Sequence, residues 1–338
     1  MQDSAQIRWN HGLTPKVVAS LIAWVVILTS GLAGATEPIA TTKGAVSVRR
    51  SPESPSQTDD FGRIVVPVMI DGKGPFRFLV DTGADGSVIS ERLLHEIGLV
   101  PSLNGGERVE GITGVERLPC VWIAELRLGD IIRTHVRMPV IQGPVLAGLD
   151  GILGMAGFGN VQVVVNFRDH YVAIGRSGGD PGWRYLEIQA ERTPGGLLMI
   201  PARVGGVSVE AVIDTGAEES MGNAALGAAL VARATNEMAQ TRVYGVTKQV
   251  PAGDVGPAPP IHVGSAEIRG LMIVYSNSPI FRTWHLESRP ALIVGMNVLG
   301  AVESLIVDYR RARIYLLLRE PRGPRMRETR VFVPWLGG

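Results

Sequence analysis

The chain has 338 residues, which is enough for two lobes that each bury a core. Its formal net charge of +1 gives no indication of a nucleic acid or an acidic polymer as a partner. The single cysteine, Cys120, excludes an intrachain disulfide, and the six histidines show no metal-ligand spacing. With 42 glycines, 22 prolines and few long helical stretches, the composition is typical of a mainly β protein with many tight turns.

The N-terminal segment, residues 1–35, is predicted to direct export. An almost wholly apolar run, Val17 to Leu28, follows a polar, weakly basic stretch and precedes Ala33-Gly34-Ala35. That order is typical of a secretory signal with cleavage after Ala35. The alternatives are an uncleaved membrane anchor over residues 17–35 and a buried helix of the folded domain. The protein is therefore expected to be periplasmic or extracellular, with membrane contact only through this segment if it is uncleaved.

The remaining chain is divided by composition. Residues 36–61 are rich in Thr, Ser and Pro without apolar periodicity, and they are interpreted as a flexible linker. Lobes are predicted over residues 62–178 and 183–335, joined by a Gly- and Pro-rich link. Within the second range, the arginine-rich stretch 319–330 is interpreted as solvated and irregular, and 331–335 as a candidate closing strand.

Local signals predict the elements around the first lobe's key motif. Ile64–Ile70 and Phe76–Val80 are predicted strands, with Asp71-Gly72-Lys73-Gly74 as the turn between them. A helix is predicted over Ser90–Ile97, capped by Ser90 and ended by Gly98. Further strands are predicted over 121–128, 136–141, 161–167 and 171–174. In the second half, a helix is predicted from Asn223, its cap, to about Ala234.

The second half repeats the order of the first. Asp81-Thr82-Gly83-Ala84 returns as Asp214-Thr215-Gly216-Ala217, an offset of 133. Three later matches keep the same order: Arg108-Val109-Glu110-Gly111-Ile112-Thr113 with Arg242-Val243-Tyr244-Gly245-Val246-Thr247, Gly151-Ile152-Leu153-Gly154 with Leu292-Ile293-Val294-Gly295, and Val165-Asn166-Phe167-Arg168 with Val307-Asp308-Tyr309-Arg310. The offset reaches only 142 at the last match, so the halves are predicted to be duplicated lobes and not solenoid repeats.

The repeated motif carries an acid at the end of an apolar run. Such a turn can present a carboxylate, and glycine there lets another backbone approach closely. If the two lobes face each other about a pseudo-twofold axis, Asp81 and Asp214 meet and share one proton. The ionised acid can then take a proton from water, while the protonated acid hydrogen-bonds a peptide carbonyl. This chemistry requires no metal and no cofactor.

The stretch from Phe78 to Ile89 resembles the active-site segment of retropepsins and their bacterial relatives. Gly151–Met155 and Leu292–Met296 resemble the apolar-Gly elements that support the catalytic loops in that family. The resemblance covers roughly residues 62–318. It implies an all-β acid-protease (retropepsin-like) fold: two homologous β-barrel-like lobes with short helices, related by a pseudo-twofold axis as in pepsins.

The resemblance also implies residue roles. Asp81 and Asp214 are the implied catalytic pair. The residues implied to support or clasp the dyad loops are Thr82, Gly83, Thr215 and Gly216. Flaps over the cleft are implied within Arg108–Leu118 and Arg242–Val250, and the candidate flap residues are Gly111, Ile112, Thr113, Gly114, Gly245 and Val246.

The two motifs continue differently along the chain. The first leads into the apolar pair Val88-Ile89, whereas the second continues Glu218-Glu219-Ser220-Met221-Gly222. Both have alanine after the glycine, at Ala84 and Ala217, where pepsins carry Ser or Thr. Without a hydroxyl donor there, the pKa values of the acids are expected to lie higher, which predicts a pH optimum between weakly acidic and near neutral.

The predicted function is an aspartic endopeptidase that acts on polypeptide substrates as a monomer with an intramolecular pseudo-dimer. One alternative is a catalytically inactive binding or interaction module in the periplasm that keeps the fold. Another is that the halves of one chain form no common cleft and instead dimerise between chains.

Overall fold

A computed structural model of the chain describes residues 62–142, 146–231 and 238–319, together with 54–59 and the backbone of three short pieces, 6–8, 21–22 and 27–28. Apart from those pieces, the predicted export segment, most of the linker and the C-terminal tail with its closing strand lie outside the described residues. Within the described part, no helix is both long enough and apolar enough to cross a bilayer.

The elements up to the end of the first lobe are mostly strands. They are β1 Gln6–Arg8, β2 Leu21–Ile22, β3 Ile27–Leu28, β4 Ser54–Pro55, β5 Gln57–Thr58, β6 Ile64–Ile70, β7 Lys73–Asp81, β8 Val88–Ser90, α1 Glu91–Ile97, β9 Ser102–Gly111, β10 Gly114–Leu128, β11 Ile131–Ile141, β12 Gly151–Gly154, a 3-10 turn Ala156–Phe158, β13 Val161–Asn166 and β14 Tyr171–Arg176.

The second lobe has the same character. Its elements are β15 Leu186–Gln189, β16 Glu191–Arg192, β17 Leu198–Val204, β18 Val207–Ile213, β19 Met221–Gly222, α2 Ala224–Val231, β20 Ala239–Tyr244, β21 Ala252–Pro257, β22 Ile261–Val263, β23 Ala266–Arg269, β24 Met272–Tyr275, α3 Ile280–Thr283, β25 Ala291–Val294, α4 Met296–Leu299, β26 Val302–Asp308 and β27 Arg313–Leu318.

Each lobe is built around one barrel-like sheet. The first runs in the order β3-β9-β10-β11-β8-β12-β7-β6-β5, and an additional β10–β6 pairing curls it towards closure. Its inner pattern is β7 parallel to β12, β12 antiparallel to β8, and β8 parallel to β11. The second lobe repeats this pattern with β18, β25, β19 and β24. The predicted all-β fold of two homologous lobes is therefore confirmed.

A third sheet joins the lobes. Its six strands run β15-β27-β26-β13-β14-β4, so strands of the first lobe pair directly with strands of the second. The junction is the antiparallel pair β13–β26, in which Val164 lies opposite Ile306.

The strands that carry the key motif are buried on both faces. Phe78 and Val80 of β7 pack in the main core, and Leu79 packs in a smaller apolar cluster on the other face. This explains their continuous apolar sequence, since a strand covered on both sides needs no polar alternation. Burial of β7 along its last four residues holds Asp81 in place.

The β6–β7 turn is shorter than predicted. Ile70 pairs with Lys73, so only Asp71 and Gly72 form the turn. Both have positive φ, 49° and 76°, which is the geometry of a two-residue hairpin turn matched to strand twist. Lys73 and Gly74, predicted as turn residues, therefore belong to β7.

Both predicted helix starts are confirmed. Ser90 Oγ accepts from Leu93 N at 3.0 Å, and Gly98 ends α1 with φ 76°. Asn223 Oδ1 likewise accepts from Leu226 N at 2.9 Å. The description of α2 ends at Val231, so the predicted extension to about residue 234 lies outside the described residues.

The end of the predicted linker differs from expectation. Ser54–Pro55 pairs with β14, and Gln57–Thr58 pairs with β6. Asp59 then forms an ion pair with the buried Arg63 at 2.6 Å. Residues 54–59 thus pack on the first lobe, because strand edges and a buried cation are available to pair with them.

Candidate active site

The two aspartates occupy equivalent positions beside equivalent strands. Asp81 ends β7, and its carbonyl accepts from Met155 N, just past β12, at 2.9 Å. Asp214 follows β18, and its N–H donates to the carbonyl of Val294 in β25 at 3.0 Å. The apolar-Gly elements of the sequence therefore support the two loops directly.

The carboxyl groups of the two aspartates meet. Both residues are completely buried, and they lie close enough for each carboxyl to shift the pKa of the other. Each carboxyl also lies over the opposite glycine. A Cβ built on Gly83 would be 2.4 Å from Cγ of Asp214, and one on Gly216 would be 2.5 Å from Oδ2 of Asp81. Only glycine permits this approach, which explains the third position of both motifs.

The backbone donors to the two carboxyls are unequal. Asp81 Oδ1 accepts from Gly83 N at 2.8 Å. Asp214 Oδ1 accepts from both Gly216 N, at 2.8 Å, and Ala217 N, at 3.0 Å. The two Oδ2 atoms are buried, and no N–H or O–H of the described residues donates to them. One proton shared between the carboxyls satisfies both oxygens.

Threonines clasp the two loops in a reciprocal arrangement. Thr82 Oγ1 donates to the carbonyl of Ile213 at 2.8 Å and accepts from Thr215 N at 3.1 Å. Thr215 Oγ1 donates to the carbonyl of Val80 at 2.7 Å and accepts from Thr82 N at 3.1 Å. Because all four bonds are buried, each hydroxyl is held in one orientation and ties the two lobes together at the dyad.

Burial governs the protonation of the pair. It raises the pKa of Asp81 well above its ordinary value, and the negative charge of Asp214 raises it further. Burial also raises the pKa of Asp214 to about 7, although the N–H bonds from Gly216 and Ala217 oppose the shift. The pair therefore holds a proton into the near-neutral range and titrates as one unit.

The first candidate flap is closed onto the second lobe. The β9–β10 hairpin turns at Ile112 and Thr113, and both residues are buried. Thr113 Oγ1 shares a 2.7 Å hydrogen bond with Thr247 Oγ1, and Ser278 Oγ donates to the Ile112 carbonyl at 2.5 Å. Just below the tip, Thr283 Oγ1 donates to Glu110 Oε2 at 2.5 Å.

The second candidate flap meets the first at its tip. Gly245 and Val246 lie in the turn between β20 and β21. A Cβ on Gly245 would be 2.9 Å from Thr113 Oγ1, and one on Gly114 would be 2.2 Å from Gln249 Oε1. The six candidate flap residues are thus brought together, and the glycines provide the close contact between the tips.

The departure of the second motif from the first is local. Met221 and Gly222 form β19, which pairs with β25 as β8 pairs with β12. Met221 is completely buried, so it fills the apolar role of Val88. Gly222 replaces Ile89, because a Cβ there would lie 2.9 Å from the Leu226 side chain. The second loop keeps its support despite the different sequence.

Two buried polar residues near the dyad were not predicted from the sequence. Arg63 is completely buried, and its charge lowers the pKa of both aspartates. Tyr309 is also completely buried, and its hydroxyl donates to the Thr82 carbonyl at 3.3 Å. Burial and the nearby charges of Asp81 and Asp214 raise the pKa of Tyr309. An alignment of the two halves could have revealed them. Both residues flank apolar strands, and the equivalent residues of the other lobe are not polar.

Among the described residues, no group of three or more His, Cys, Asp or Glu side chains could hold a metal ion. A cavity of about 650 Å³ in the first lobe is lined by Lys73 and Asp150, among others, and neither Asp81 nor Asp214 lines it.

Comparison with known proteins agrees with this geometry. A search of curated proteins finds no match. A family model described as aspartyl protease matches residues 66–156 and again residues 200–298. Each match spans one aspartate loop and its apolar-Gly support, and together they cover more than half of the chain. The chain therefore belongs to the aspartyl protease family.

Proposed function

We propose that the protein is an aspartic endopeptidase that hydrolyses peptide bonds with a water activated between Asp81 and Asp214. The observation that carries the proposal is the mutual contact of two completely buried carboxyls, each over the other's glycine. Holding two acids this close is costly unless they share a proton, and the singly protonated pair is the form that can act as base and acid together.

The unequal number of backbone donors indicates which aspartate acts as the base and which as the acid. Asp214 accepts two N–H bonds and is the better-stabilised anion, so it takes the proton from water. Asp81 accepts one and carries the proton that hydrogen-bonds the peptide carbonyl oxygen. The water oxygen bonds to the carbonyl carbon, giving a neutral gem-diol. Asp214 then gives its proton to the nitrogen, and Asp81 takes one from a gem-diol hydroxyl as the C–N bond breaks, which releases a carboxylic acid and an amine and restores the singly protonated pair.

The substrate class is inferred from the shape of the site. The dyad is buried and the hairpin tips meet at Thr113 and Thr247, so the first flap must move before a substrate can enter. The edges of β9 and β20 behind the tips pair with the short extended strands β3 and β2, which supports an extended chain as the ligand of these edges. An unfolded polypeptide segment is therefore the proposed substrate.

The test uses an unfolded, alkylated protein as substrate and mass spectrometry to detect its fragments. We expect wild-type protein to cleave it, and Asp81→Asn and Asp214→Asn each to lower the rate by about 1,000-fold or more, because each removes one half of the acid–base pair. Asp130→Asn, an exposed aspartate in the β10–β11 turn, is the matched control and should retain wild-type cleavage. Cleavage that survives both dyad replacements would contradict the proposal.

One observation favours a second function, a binding or interaction module without activity. Both acids have no exposed surface and the flap tip is hydrogen-bonded shut, as in a protein that keeps the fold but not the turnover. The same assay separates the two. A wild-type protein that binds the unfolded substrate without cleaving it, across the acidic to neutral range, would support the binding module.

Export and a monomeric state are further proposals. The apolar run ending at Leu28 and the small residues before Thr36 support a cleaved signal, and N-terminal sequencing of the secreted protein would test it. The Thr82–Thr215 clasp lies within one chain, which supports a single-chain cleft. Sedimentation at catalytic concentrations would test the monomer.

A further inference from the structure

The duplicated lobes allow each residue near the dyad to be compared with its repeat equivalent. In the first lobe, Val65 of β6 lies opposite Leu79 of β7. Continuing this antiparallel register by two residues places Arg63 opposite Asp81. Directly opposite residues of neighbouring strands project to the same face with Cβ atoms about 5 Å apart.

The same construction in the second lobe leads to a different residue. Met199 of β17 lies opposite Val212 of β18. Continuing that register by two residues places Leu197 opposite Asp214. Both Arg63 and Leu197 are completely buried, so the two positions are equivalent in burial but not in charge.

The guanidinium of Arg63 is held by Asp59. Asp59 accepts from Arg63 Nε at 2.7 Å and from the Arg63 backbone N–H at 2.9 Å. The continued β6–β7 register places the dyad beside Arg63, and the dyad carries one negative charge in its singly protonated form. A buried negative charge is costly unless a cation is close, and Arg63 is the cation that the first lobe supplies.

We propose that Arg63 is a positioning residue of the dyad. Its buried positive charge stabilises the singly ionised form of the Asp81–Asp214 pair, whereas the equivalent residue of the second lobe, Leu197, carries no charge. This inference rests on the proposed endopeptidase function. Arg63 touches neither substrate nor water in this scheme, and it acts only through the two carboxyls.

Several charged and titratable groups act on the dyad or on its neighbours. Arg63 lowers the pKa of both aspartates by its charge. Asp59 partly neutralises Arg63 from the other side. Tyr309 stays protonated, because burial and the two carboxyl charges raise its pKa, and Arg192 acts on Tyr309 in the opposite direction. Removing the Arg63 charge should therefore raise both apparent pKa values of the pair.

The experiment compares Arg63→Met, Arg63→Lys and Leu197→Met in the full chain, with folding checked by circular dichroism. We expect Arg63→Met to move both limbs of the pH profile of kcat/KM to higher pH by roughly one unit, which is about a tenfold loss at a fixed pH on the acid limb. Arg63→Lys keeps the charge and should restore the wild-type limbs. Leu197→Met changes the matched position without charge and should leave the limbs in place.

Asp59→Asn removes the anion that offsets Arg63, so both limbs should move to lower pH. The upward shift expected of Arg63→Met guards against a folding artefact, because partial unfolding would expose the two acids and lower their raised pKa values. Unchanged limbs in Arg63→Met, an equal shift in Leu197→Met, or an upward shift in Asp59→Asn would each overturn the inference.

A readout that needs no activity separates this inference from the proposed function. The side-chain carboxyl carbons of labelled Asp81 and Asp214 can be titrated by NMR in wild type and Arg63→Met. We expect the titration midpoints to rise in Arg63→Met, and identical midpoints would overturn the inference. If the wild type is inactive but the midpoints still rise in Arg63→Met, only the endopeptidase proposal is contradicted, and the inference about Arg63 stands.

Discussion

At the scale of single residues, the hydroxyls of two threonines hold the two aspartate loops against each other. The Thr82 hydroxyl makes one bond as donor and one as acceptor across the lobes. Its loss leaves the Thr215 N–H and the Ile213 carbonyl without those partners. Buried groups left unpaired cost about 1–3 kcal/mol each.

Thr82→Ala should therefore lower the free energy of unfolding by about 2–6 kcal/mol and reduce kcat more than it changes KM. Chemical denaturation and steady-state kinetics measure the two effects. Thr82→Ser keeps the hydroxyl and is the matched control, expected to lie close to wild type. Equal losses in the Ala and Ser variants would show that the methyl group matters and the hydrogen bonds do not.

The buried acids also link stability to pH. Burial raises the pKa of Asp214 from 3.8 to about 7, and it raises that of Asp81 in the same direction. A raised acid pKa means that the folded state binds more protons than the unfolded state. The stabilisation is thus complete below the unfolded value near 4 and is lost as the pH rises through the folded value near 7.

We therefore expect the free energy of unfolding to fall from about pH 4 to about pH 7, by on the order of 1.4 kcal/mol for each unit of raised pKa that is crossed. The double variant Asp81→Asn/Asp214→Asn lacks these protons and should show a flatter curve. Glu219 contributes the same sign, because burial and the charge of Glu218 raise its pKa to about 7, so some slope should remain. Parallel curves for wild type and double variant would contradict the expectation.

At the scale of elements, the β9–β10 hairpin and helix α3 form a latch. Ser278 and Thr283 both donate to the hairpin, at the Ile112 carbonyl and the Glu110 carboxylate. Helix α3 and the turn before it lie between β24 and β25, in a stretch to which the sequence assigned no role. The latch therefore places control of the first flap in the second lobe.

Ser278→Ala combined with Thr283→Val should weaken this latch and let the hairpin open more often. We expect amide hydrogen exchange over residues 106–118 to become roughly 30-fold faster, because two bonds worth about 1 kcal/mol each are lost. Thr283→Ser retains its hydroxyl and serves as the control with slow exchange. Unchanged exchange in the double variant would show that the tip contact at Thr113 and Thr247 is sufficient to hold the flap.

At the scale of the whole molecule, repeat equivalents that touch each other define the pseudo-twofold axis. Thr113 and Thr247, 134 apart, meet at the flap tips, and Thr82 and Thr215, 133 apart, meet at the clasp. In the joining sheet, Val164 lies opposite Ile306, which is 142 residues further along the chain. The last sequence match between the two halves has the same offset of 142 residues. One axis therefore runs from the flaps through the dyad to the sheet beneath it.

Because the lobes share a six-stranded sheet and a clasp, we expect them to unfold together. Scanning calorimetry should show one transition whose calorimetric and van't Hoff enthalpies agree. Thr82→Ala/Thr215→Ala removes the clasp but leaves the β13–β26 junction, so it should lower Tm and keep a single transition. Two resolved transitions in wild type would mean that the lobes are independent folding units.

The amino-acid sequence by itself determined the strands, the helix caps and the duplication. Asp81 and Asp214 each follow a buried apolar strand, and Ser90 and Asn223 each begin a helix. These features are local, because hydrophobic pattern and capping chemistry act within a few residues. The repeat order extended them to a two-lobe fold, since equivalent segments fold in equivalent ways.

Only the tertiary structure decided which side chains surround the two acids. Arg63 lies where the β6–β7 register continues to Asp81, and the Tyr309 hydroxyl donates to the Thr82 carbonyl. Their repeat equivalents Leu197 and Phe167 are apolar. Strand register and the contact between lobes bring these groups together, and such contacts join residues too distant in sequence for any local pattern to report. The duplication therefore predicted a symmetric pair of acids, and packing between the lobes made their surroundings unequal.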